Sequence, residues 1–216
     1  MTGSIDGAAL DRARRLGAAT LHEAAGKIGA LPSKIGPIDP SWRIAGPATP
    51  VRSPSGDNLA VLRAIGAAAA GSVLVVATGD ADPEWGYWGE IMSTAARAAG
   101  LGGVVLQGGS RDHAALPDIG FPVFSLGACI RGTSKRPAPE GAGIDVEIEI
   151  GGVVIRPGDL IVGDADGVVA IPRSVAGEAI DAGLRRHEGE ARMLQRLRSG
   201  EADLAMLGLD RSRGST

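Results

Sequence analysis

Residues 73–112 read VLVVATGDADPEWGYWGEIMSTAARAAGLGGVVLQGGSRD. The apolar run 73–78 predicts a strand, and the stretch 90–99, closed by Gly100, predicts a helix. A second apolar run follows at 103–107, then a turn at 108–112 and a further strand at 121–126. Strands alternating with helices in this way predict a βαβ core with partly parallel strands.

Outward from that core, the pattern changes at both ends. Upstream, Leu10, Ala13, Gly17, Leu21, Ala24 and Ile28 recur at three- and four-residue steps, and Thr20–Leu–His–Glu23 has the form of a capping box. Two short helices are therefore expected to open the chain, the second restarting near residue 20. Six prolines between residues 32 and 54 suit a loop leading into an edge strand at 44–51. Asp57 or Asn58 is then placed to cap a helix over 59–70. Downstream, strand-like runs at 144–150, 153–155, 160–162 and 168–171 are separated by Gly-Gly, Pro-Gly-Asp and Asp-Gly. These read as tight hairpin turns and predict an antiparallel layer. From about residue 174, Leu184, Ala191, Leu194 and Leu197 stand among Arg and Glu, as in a long amphipathic helix with a narrow apolar face. The expected organisation is one α/β domain over 1–173 and a helical arm over 174–216 that packs on a neighbouring subunit.

Composition narrows the function classes. A chain of 216 residues can bury about 70% of its unfolded surface, and 44% hydrophobic with 22% charged residues suits a folded globular protein. A formal charge of −3 supplies no positive field for nucleic acid or an anionic membrane. Six aromatic residues, counting three Trp, one Tyr and two Phe, give no platform for stacking bases. The single cysteine, Cys129, and the polar N-terminal stretch point to a reducing cytoplasm, and no run is apolar and long enough for a membrane span.

Common catalytic signatures are missing. Gly100–Leu–Gly102–Gly103 precedes a strand, whereas the dinucleotide fingerprint follows one, and there is no phosphate loop, nucleophile elbow or zinc helix. Asp164–Ala–Asp166–Gly167 lacks the closing glutamate of a calcium loop. Polar residues gather instead at the ends of the βαβ core: Gly56–Asp57–Asn58, Trp88–Gly89–Glu90, Gly108 to Asp112, and Arg131 to Lys135. Loops beyond the carboxyl ends of parallel strands are the usual ligand crevice. Glu90 at a helix start leaves the amides of Ile91 and Met92 free for a carboxylate. Arg111 offers a planar fork for a carboxylate, and Asp112 a hard oxygen for Mg²⁺. A helix cap at Glu90 and a surface turn at Arg111–Asp112 account for the same residues equally well.

The run ATGDADPEWGYWGEIMSTAARAAGLGGVVLQGGSRD at 77–112 resembles the RraA-like family, which includes the class II 4-hydroxy-4-methyl-2-oxoglutarate/4-carboxy-4-hydroxy-2-oxoadipate aldolases. TLHEAAGKIG at 20–29, IAGPATPV at 44–51, GDN at 56–58, FPVFSLG at 121–127, RGTSK at 131–135 and IRPGDLIVGDADGVVAIP at 155–172 extend the likeness. The resemblance implies an α/β fold of the swivelling β/β/α sandwich type, assembled as homotrimers or hexamers with sites between subunits. It implies that Arg111 binds the pyruvyl carboxylate, that Asp112 and Glu90 hold a hydrated Mg²⁺ or Mn²⁺, and that Asn58 and Lys135 line the substrate pocket. Glu188, or else Glu190, from the C-terminal helix of an adjacent subunit would join the metal's outer shell. The implied activity is retro-aldol release of pyruvate from a 4-hydroxy-2-oxo acid, with oxaloacetate decarboxylation following from the same chemistry. The family's other branch implies a protein-binding regulator of ribonuclease activity with a vestigial site. Against the aldolase pattern, Glu90 stands where Asp is usual, and Gln107 where an Asp often opens the Asp-Gly-x-x-Arg-Asp run.

Overall fold

The computed structural model describes residues 5–81, 83–137 and 140–200. The chain opens with α1 (Gly7–Leu16) and α2 (Ala18–Ala24), then β1 (Gly36–Pro37), β2 (Ile44–Arg52), α3 (Leu59–Ala67) and β3 (Val73–Ala77). Next come β4 (Gly86–Trp88), α4 (Glu90–Ala98), β5 (Gly103–Leu106), β6 (Gly109–Ser110), α5 (Leu116–Ile119), β7 (Val123–Ser125) and β8 (Gly127–Ala128). The last elements are β9 (Gly143–Ile144), β10 (Ile148–Ile150), β11 (Val153–Ile155), β12 (Leu160–Asp164), β13 (Gly167–Ile171) and α6 (Ala176–Arg198).

One mixed sheet in the order β1-β7-β5-β3-β2-β12-β13, with β9 beside β2, organises the fold. The steps β2 to β3, β3 to β5 and β5 to β7 are parallel, as the alternating pattern predicts, while β12 joins β2 antiparallel. The sheet curls until β1 also touches β12 and β13. Its strands alternate between two cores with period two. Leu74 and Val76 of β3 face α3 and α4 with Val61, Met92 and Phe121, whereas Val73, Val75 and Ala77 face Phe124, Ile150, Ile155 and Ile161. A third core joins Leu16 and Leu21 to Val169, Ile171, Ala179 and Ile180.

Several local expectations are corrected. β2 is interior, not an edge, although it contains Pro47 and Pro50. The Ala48 amide donates to Asp159 O and Ala48 O accepts from Gly158, so even-numbered residues of β2 point their amide and carbonyl away from β3. Pro50 therefore removes no donor from the β3 ladder, and Pro47 precedes it, since pairing with β3 begins at Ala48. Thr20 and Glu23 do not form a cap, because the helix restarts at Ala18 after Gly17, whose φ is 81°. Asp164, buried, accepts the Ala18 amide at 2.9 Å instead. Pro157–Gly158–Asp159 is not a hairpin turn. It carries the chain from β11, paired with β10, to β12 in the large sheet, and Asp159 fixes that bend by accepting the amides of Arg156 and Arg173. The anticipated antiparallel layer is thus divided: β12–β13 extend the main sheet, β10–β11 form a separate ribbon, and the run 144–150 is split between β9 and β10.

α3 ends at Ala67, short of residue 70, and α6 begins at Ala176. Ala179, Ile180 and Gly183 of α6 are buried against α1 and α2 of the same chain. Most of its outer turns are exposed, with Leu184 partly packed. Residues 201–216 of the expected arm lie outside the described residues. Among the described residues no helix is long and apolar enough to cross a membrane.

Close approach of α2's exit to β13 gives a direct test. Gly26 and Gly29 both have positive φ (82° and 76°), but a Cβ on Gly26 meets nothing, whereas one on Gly29 would lie 1.9 Å from Ala170 O. Gly26→Ala should cost about 1–2 kcal/mol from backbone conformation alone, and Gly29→Ala more than about 3 kcal/mol. Urea denaturation of the two variants measures the difference.

Candidate active site

A second, three-stranded sheet that the sequence pattern does not predict assembles the functional turns. β4, β6 and β8 run parallel, with Gly86 opposite Gly109 and Gly109 opposite Gly127. The stretch expected to be only a turn thus contains a strand. Glycines permit it: a Cβ on Gly109 would lie 2.6 Å from Cys129 Cβ, and one on Gly86 would lie 2.2 Å from Cys129 O. Beyond the carboxyl ends of β4 and β6 stand Glu90, Arg111 and Asp112.

These three residues are brought together. The Arg111 amide donates to Trp88 O at 2.8 Å, and Asp112 Oδ2 accepts the Glu90 amide at 3.0 Å, capping α4 from a distant turn. Arg111 Nε lies 3.8 Å from Asp112 Oδ2. Asp112 reaches this position with φ 61°, a left-handed conformation that Asp tolerates. Gly89 leaves the room, since its Cβ would lie 2.4 Å from Asp112 Oδ2 and 3.0 Å from Arg111 Cγ. All three charged side chains are exposed, as is Ile91 at 83%. Glu90, Ile91 and Met92 form the first turn of α4, whose amides have no carbonyl partner within the helix. Met92 turns its side chain inward.

Asn58 is placed in the interior. Its Nδ2 donates to Tyr87 O at 3.1 Å and lies 3.8 Å from Met92 Sδ, while its Oδ1 is buried with no partner among the described residues. The cap of α3 comes from Asp57, whose Oδ1 accepts the Leu59 amide. Lys135 is exposed on the segment that follows Ser134, and Ser134 O accepts the Asn58 amide at 3.1 Å. Asn58 and Lys135 therefore share a neighbourhood, bound to the start of β4 through the Gly86–Gly132 bridge. Glu188 and Glu190 lie on α6, which packs on α1 and α2, and Glu190 pairs with Arg186 at 2.8 Å. His22 Nδ1 contacts Ile28 O at 3.0 Å across the end of α2, consistent with a role in holding that turn.

Sequence reasoning missed Tyr87 and Asp80, and read Gln107 only as a departure from the aldolase pattern. Tyr87 OH donates to Asp80 Oδ2 at 2.6 Å and accepts from the Gly56 amide at 2.9 Å. Burial, with Asp80 beside it, pushes the phenol up to about 12, so it remains a donor. Its ring packs so closely on the turn before Arg111 that a Cβ on Gly108 would lie 2.7 Å from it. Gln107 supplies an acceptor for the Gly79 amide at 3.2 Å. The single tyrosine of the chain, standing between Gly86 and Gly89, was the available signal.

The chemistry of the donors suits a mostly hydrated divalent ion. Glu90 and Asp112 offer hard, exposed oxygens, and Mg²⁺ commonly keeps several waters. Among the described residues no group of three or more His, Cys, Asp or Glu is placed to cage a metal, and Glu188 of the same chain does not join the pair.

A family model described as RraA-like, Aldolase/RraA, matches residues 13–170. Over 145 residues the chain is 43% identical to a Halalkalibacterium halodurans protein named "Putative 4-hydroxy-4-methyl-2-oxoglutarate aldolase", and the match spans 66% of each chain, just under two thirds. An uncharacterized protein from Pseudomonas syringae pv. tomato has a similar solved structure, with TM-score 0.82, 29% identity, and 94% and 93% of the two chains covered. The solved RNA-processing inhibitor RraA from Thermus thermophilis is also similar, with TM-score 0.63, 26% identity, and 71% and 91% covered.

Asp57 yields a prediction about pH. Complete burial pushes its carboxyl up, but hydrogen bonds from the Arg136 and Leu59 amides, the Ser134 hydroxyl and the Arg136 guanidinium together outweigh this and hold it below the usual range. A depressed folded value means that its stabilisation is present above the unfolded value, about 3.9, and is lost as pH falls through the folded one. Asp57→Asn should therefore lower stability at pH 7 and flatten the acid limb below about pH 4. Thermal melts between neutral and acid pH measure both effects.

Proposed function

Because the chain belongs to the RraA-like family, whose Aldolase/RraA model matches residues 13–170, we propose that it is a carbon–carbon lyase that releases pyruvate from a 4-hydroxy-2-oxo acid. The observation that carries this reading is the meeting of Arg111 and Asp112 with the start of α4, where Asp112 accepts the Glu90 amide. Such a cluster offers a guanidinium, helix amides and two carboxylates at one end of one small sheet. The aldolase name of the 43% identical relative supports the same class.

In this reading Arg111 binds the carboxylate next to the keto group, assisted by the amides of Ile91 and Met92 at the positive end of α4. Lys135 stands on the substrate side, and Asn58, buried with its Nδ2 on Tyr87 O, acts there by holding β4. Asp112 and Glu90 would hold Mg²⁺ or Mn²⁺ through water, with Glu188 of a second copy in a homotrimer or hexamer joining the outer shell. Such an ion, when bound, supplies Lewis acidity toward the developing negative charge.

Cleavage removes the proton of the 4-hydroxyl to a water oriented by Arg111. The C4–O bond becomes a carbonyl, the C3–C4 bond breaks, and its electron pair passes through C3 to the C2 oxygen. Arg111 stabilises that charge, and return of the proton from that water to C3 gives pyruvate. Loss of carbon dioxide from oxaloacetate would generate the same enolate.

Pyruvate release from a panel of 4-hydroxy-2-oxo acids and oxaloacetate tests the reading. Chelation by EDTA should abolish turnover, and added Mg²⁺ or Mn²⁺ should restore it. Arg111→Lys keeps the charge but loses the planar fork and should cost about 2–4 kcal/mol in the transition state, without rescue by metal. Asp112→Asn should weaken metal binding and recover activity partly at millimolar Mg²⁺. Unchanged pyruvate release in both variants would make the pair a structural turn. The absence of activity on the whole panel would favour protein-binding regulation, the second reading supported by likeness to the Thermus inhibitor.

A further inference from the structure

Behind the Arg111–Asp112 turn runs a line of hydrogen bonds through two serines to a histidine. Ser110 Oγ lies 2.8 Å from His113 Nε2 and 2.8 Å from Ser125 Oγ, and Ser125 Oγ accepts the Gly127 amide at 3.3 Å. Ser110 and Ser125 are buried, at 0% and 3% exposure, and His113 is half-buried. A serine hydroxyl on an imidazole nitrogen is also the geometry of a nucleophile with its base, but no substrate carbonyl reaches a residue as deeply buried as Ser110. The direction of the line follows from counting protons, since each hydroxyl carries one. With His113 Nε2 as the acceptor, the Gly127 amide donates to Ser125, Ser125 to Ser110, and Ser110 to His113, so every donor is used. With a proton on Nε2, one of the two buried hydroxyl protons has no acceptor among the described residues. A buried donor without a partner is costly, so the ring carries its proton on Nδ1.

Arg111 and Asp112 stand between the two bonded residues, so the Ser110–His113 contact spans them as a clasp. On the far side Asp112 O accepts the amides of Ala115 and Leu116. Both charged side chains are exposed, so burial does not place them. The turn does, through the Arg111 amide on Trp88 O and the Asp112 carboxylate on the Glu90 amide. Asp112 also holds a left-handed φ of 61°, a conformation that persists where the surroundings enforce it. Ser125 ends β7 of the main sheet and Ser110 ends β6 of the small one, so the clasp is anchored in both sheets. We infer that His113, as its Nδ1–H tautomer, is a positioning residue of the candidate site, accepting the Ser110 proton and so holding Arg111 and Asp112 where they meet α4. Its effect on catalysis rests on the pyruvate-releasing reading of the Arg111 cluster, whereas the clasp itself does not.

Two measurements need no substrate. In a long-range proton–nitrogen NMR spectrum of the full chain at about pH 8, where free imidazole is neutral, His113 should show a protonated Nδ1 and a bare Nε2. His113→Gln identifies its signals among the three histidines, and the opposite tautomer overturns the inference. Amide hydrogen exchange then reads the turn. His113→Leu, which has no acceptor, should speed exchange at the Arg111 and Glu90 amides by about fivefold or more, the scale of one lost hydrogen bond, and leave Val104 to Leu106 of β5 unchanged. Ser110→Ala, which removes the donor, should do the same, and His113→Gln, whose side-chain oxygen still accepts, should regain most of the protection. Exchange unchanged at Arg111 and Glu90, or faster throughout with β5 included, overturns the positioning role. A third measurement brings in catalysis. His113→Leu should lower kcat/KM for pyruvate release by about tenfold or more, yet have little further effect in an Arg111→Lys background, because what is lost is the placement of that same guanidinium. Fully additive losses overturn the inference. No pyruvate from any oxo acid, with the tautomer and the exchange pattern as expected, supports the clasp and removes the lyase reading alone.

Discussion

The main chain of residues 85–89 is the constraint on which the candidate site depends. Trp85 O accepts the Gly109 amide, the Gly86 amide donates to Arg131 O, Tyr87 O accepts Asn58 Nδ2, and Trp88 O accepts the Arg111 amide. Three segments far apart in sequence, around residues 58, 109–111 and 131, are thus tied by four bonds to one short strand. Backbone groups buried without partners are costly, so these bonds fix the turns relative to one another before any side-chain chemistry is considered. The Tyr87 hydroxyl adds a fifth tie, to Gly56, and is itself held by Asp80.

Glycine makes this density of backbone contacts possible. At Gly86, Gly89, Gly108 and Gly109 a methyl group would overlap a neighbouring segment by a wide margin, and all four have φ outside the left-handed region. Space, rather than backbone conformation, therefore requires these residues. The consequence reaches the chemistry directly: Gly89 admits the Asp112 carboxylate to the start of α4, and that contact sets Arg111 beside it. Packing in the main sheet performs a different task. Its two alternating cores hold β2, β3, β5 and β7 in register, and the carboxyl ends of β3 and β5 deliver the chain to β4 and β6.

The parallel core was legible because apolar runs at 73–78 and 103–107 and the helix between them carry their period in the sequence. The hairpins at Gly151–Gly152 and Asp166–Gly167 were equally legible from their turn residues. What escaped was set by distant partners. Nothing local reveals that Asp164 caps α2, that the amide of Ala48 faces β12, or that Gly109–Ser110 pairs on both sides. The glycines that allow β4, β6 and β8 to approach look in sequence like turn residues. The site divides similarly. Arg111, Asp112 and Glu90 were recognisable by residue type at loop positions, and their association is found. Asn58 was named as a pocket residue, and its Nδ2 is engaged with Tyr87 O. Arg136 drew no notice, since its amide and guanidinium meet the buried Asp57 from 79 residues away in sequence.

The account stands or falls on whether the end of the β4–β6 sheet receives the oxo-acid head. Oxalate, a planar mimic of the pyruvate enolate, should bind there more tightly than pyruvate does. A crystal structure of the full chain grown with Mg²⁺ and oxalate is the most direct measurement. The account predicts a carboxylate of oxalate on the Arg111 guanidinium, next to the amides of Ile91 and Met92. Oxalate bound elsewhere, with Arg111 and Asp112 unchanged as a surface turn, would contradict it.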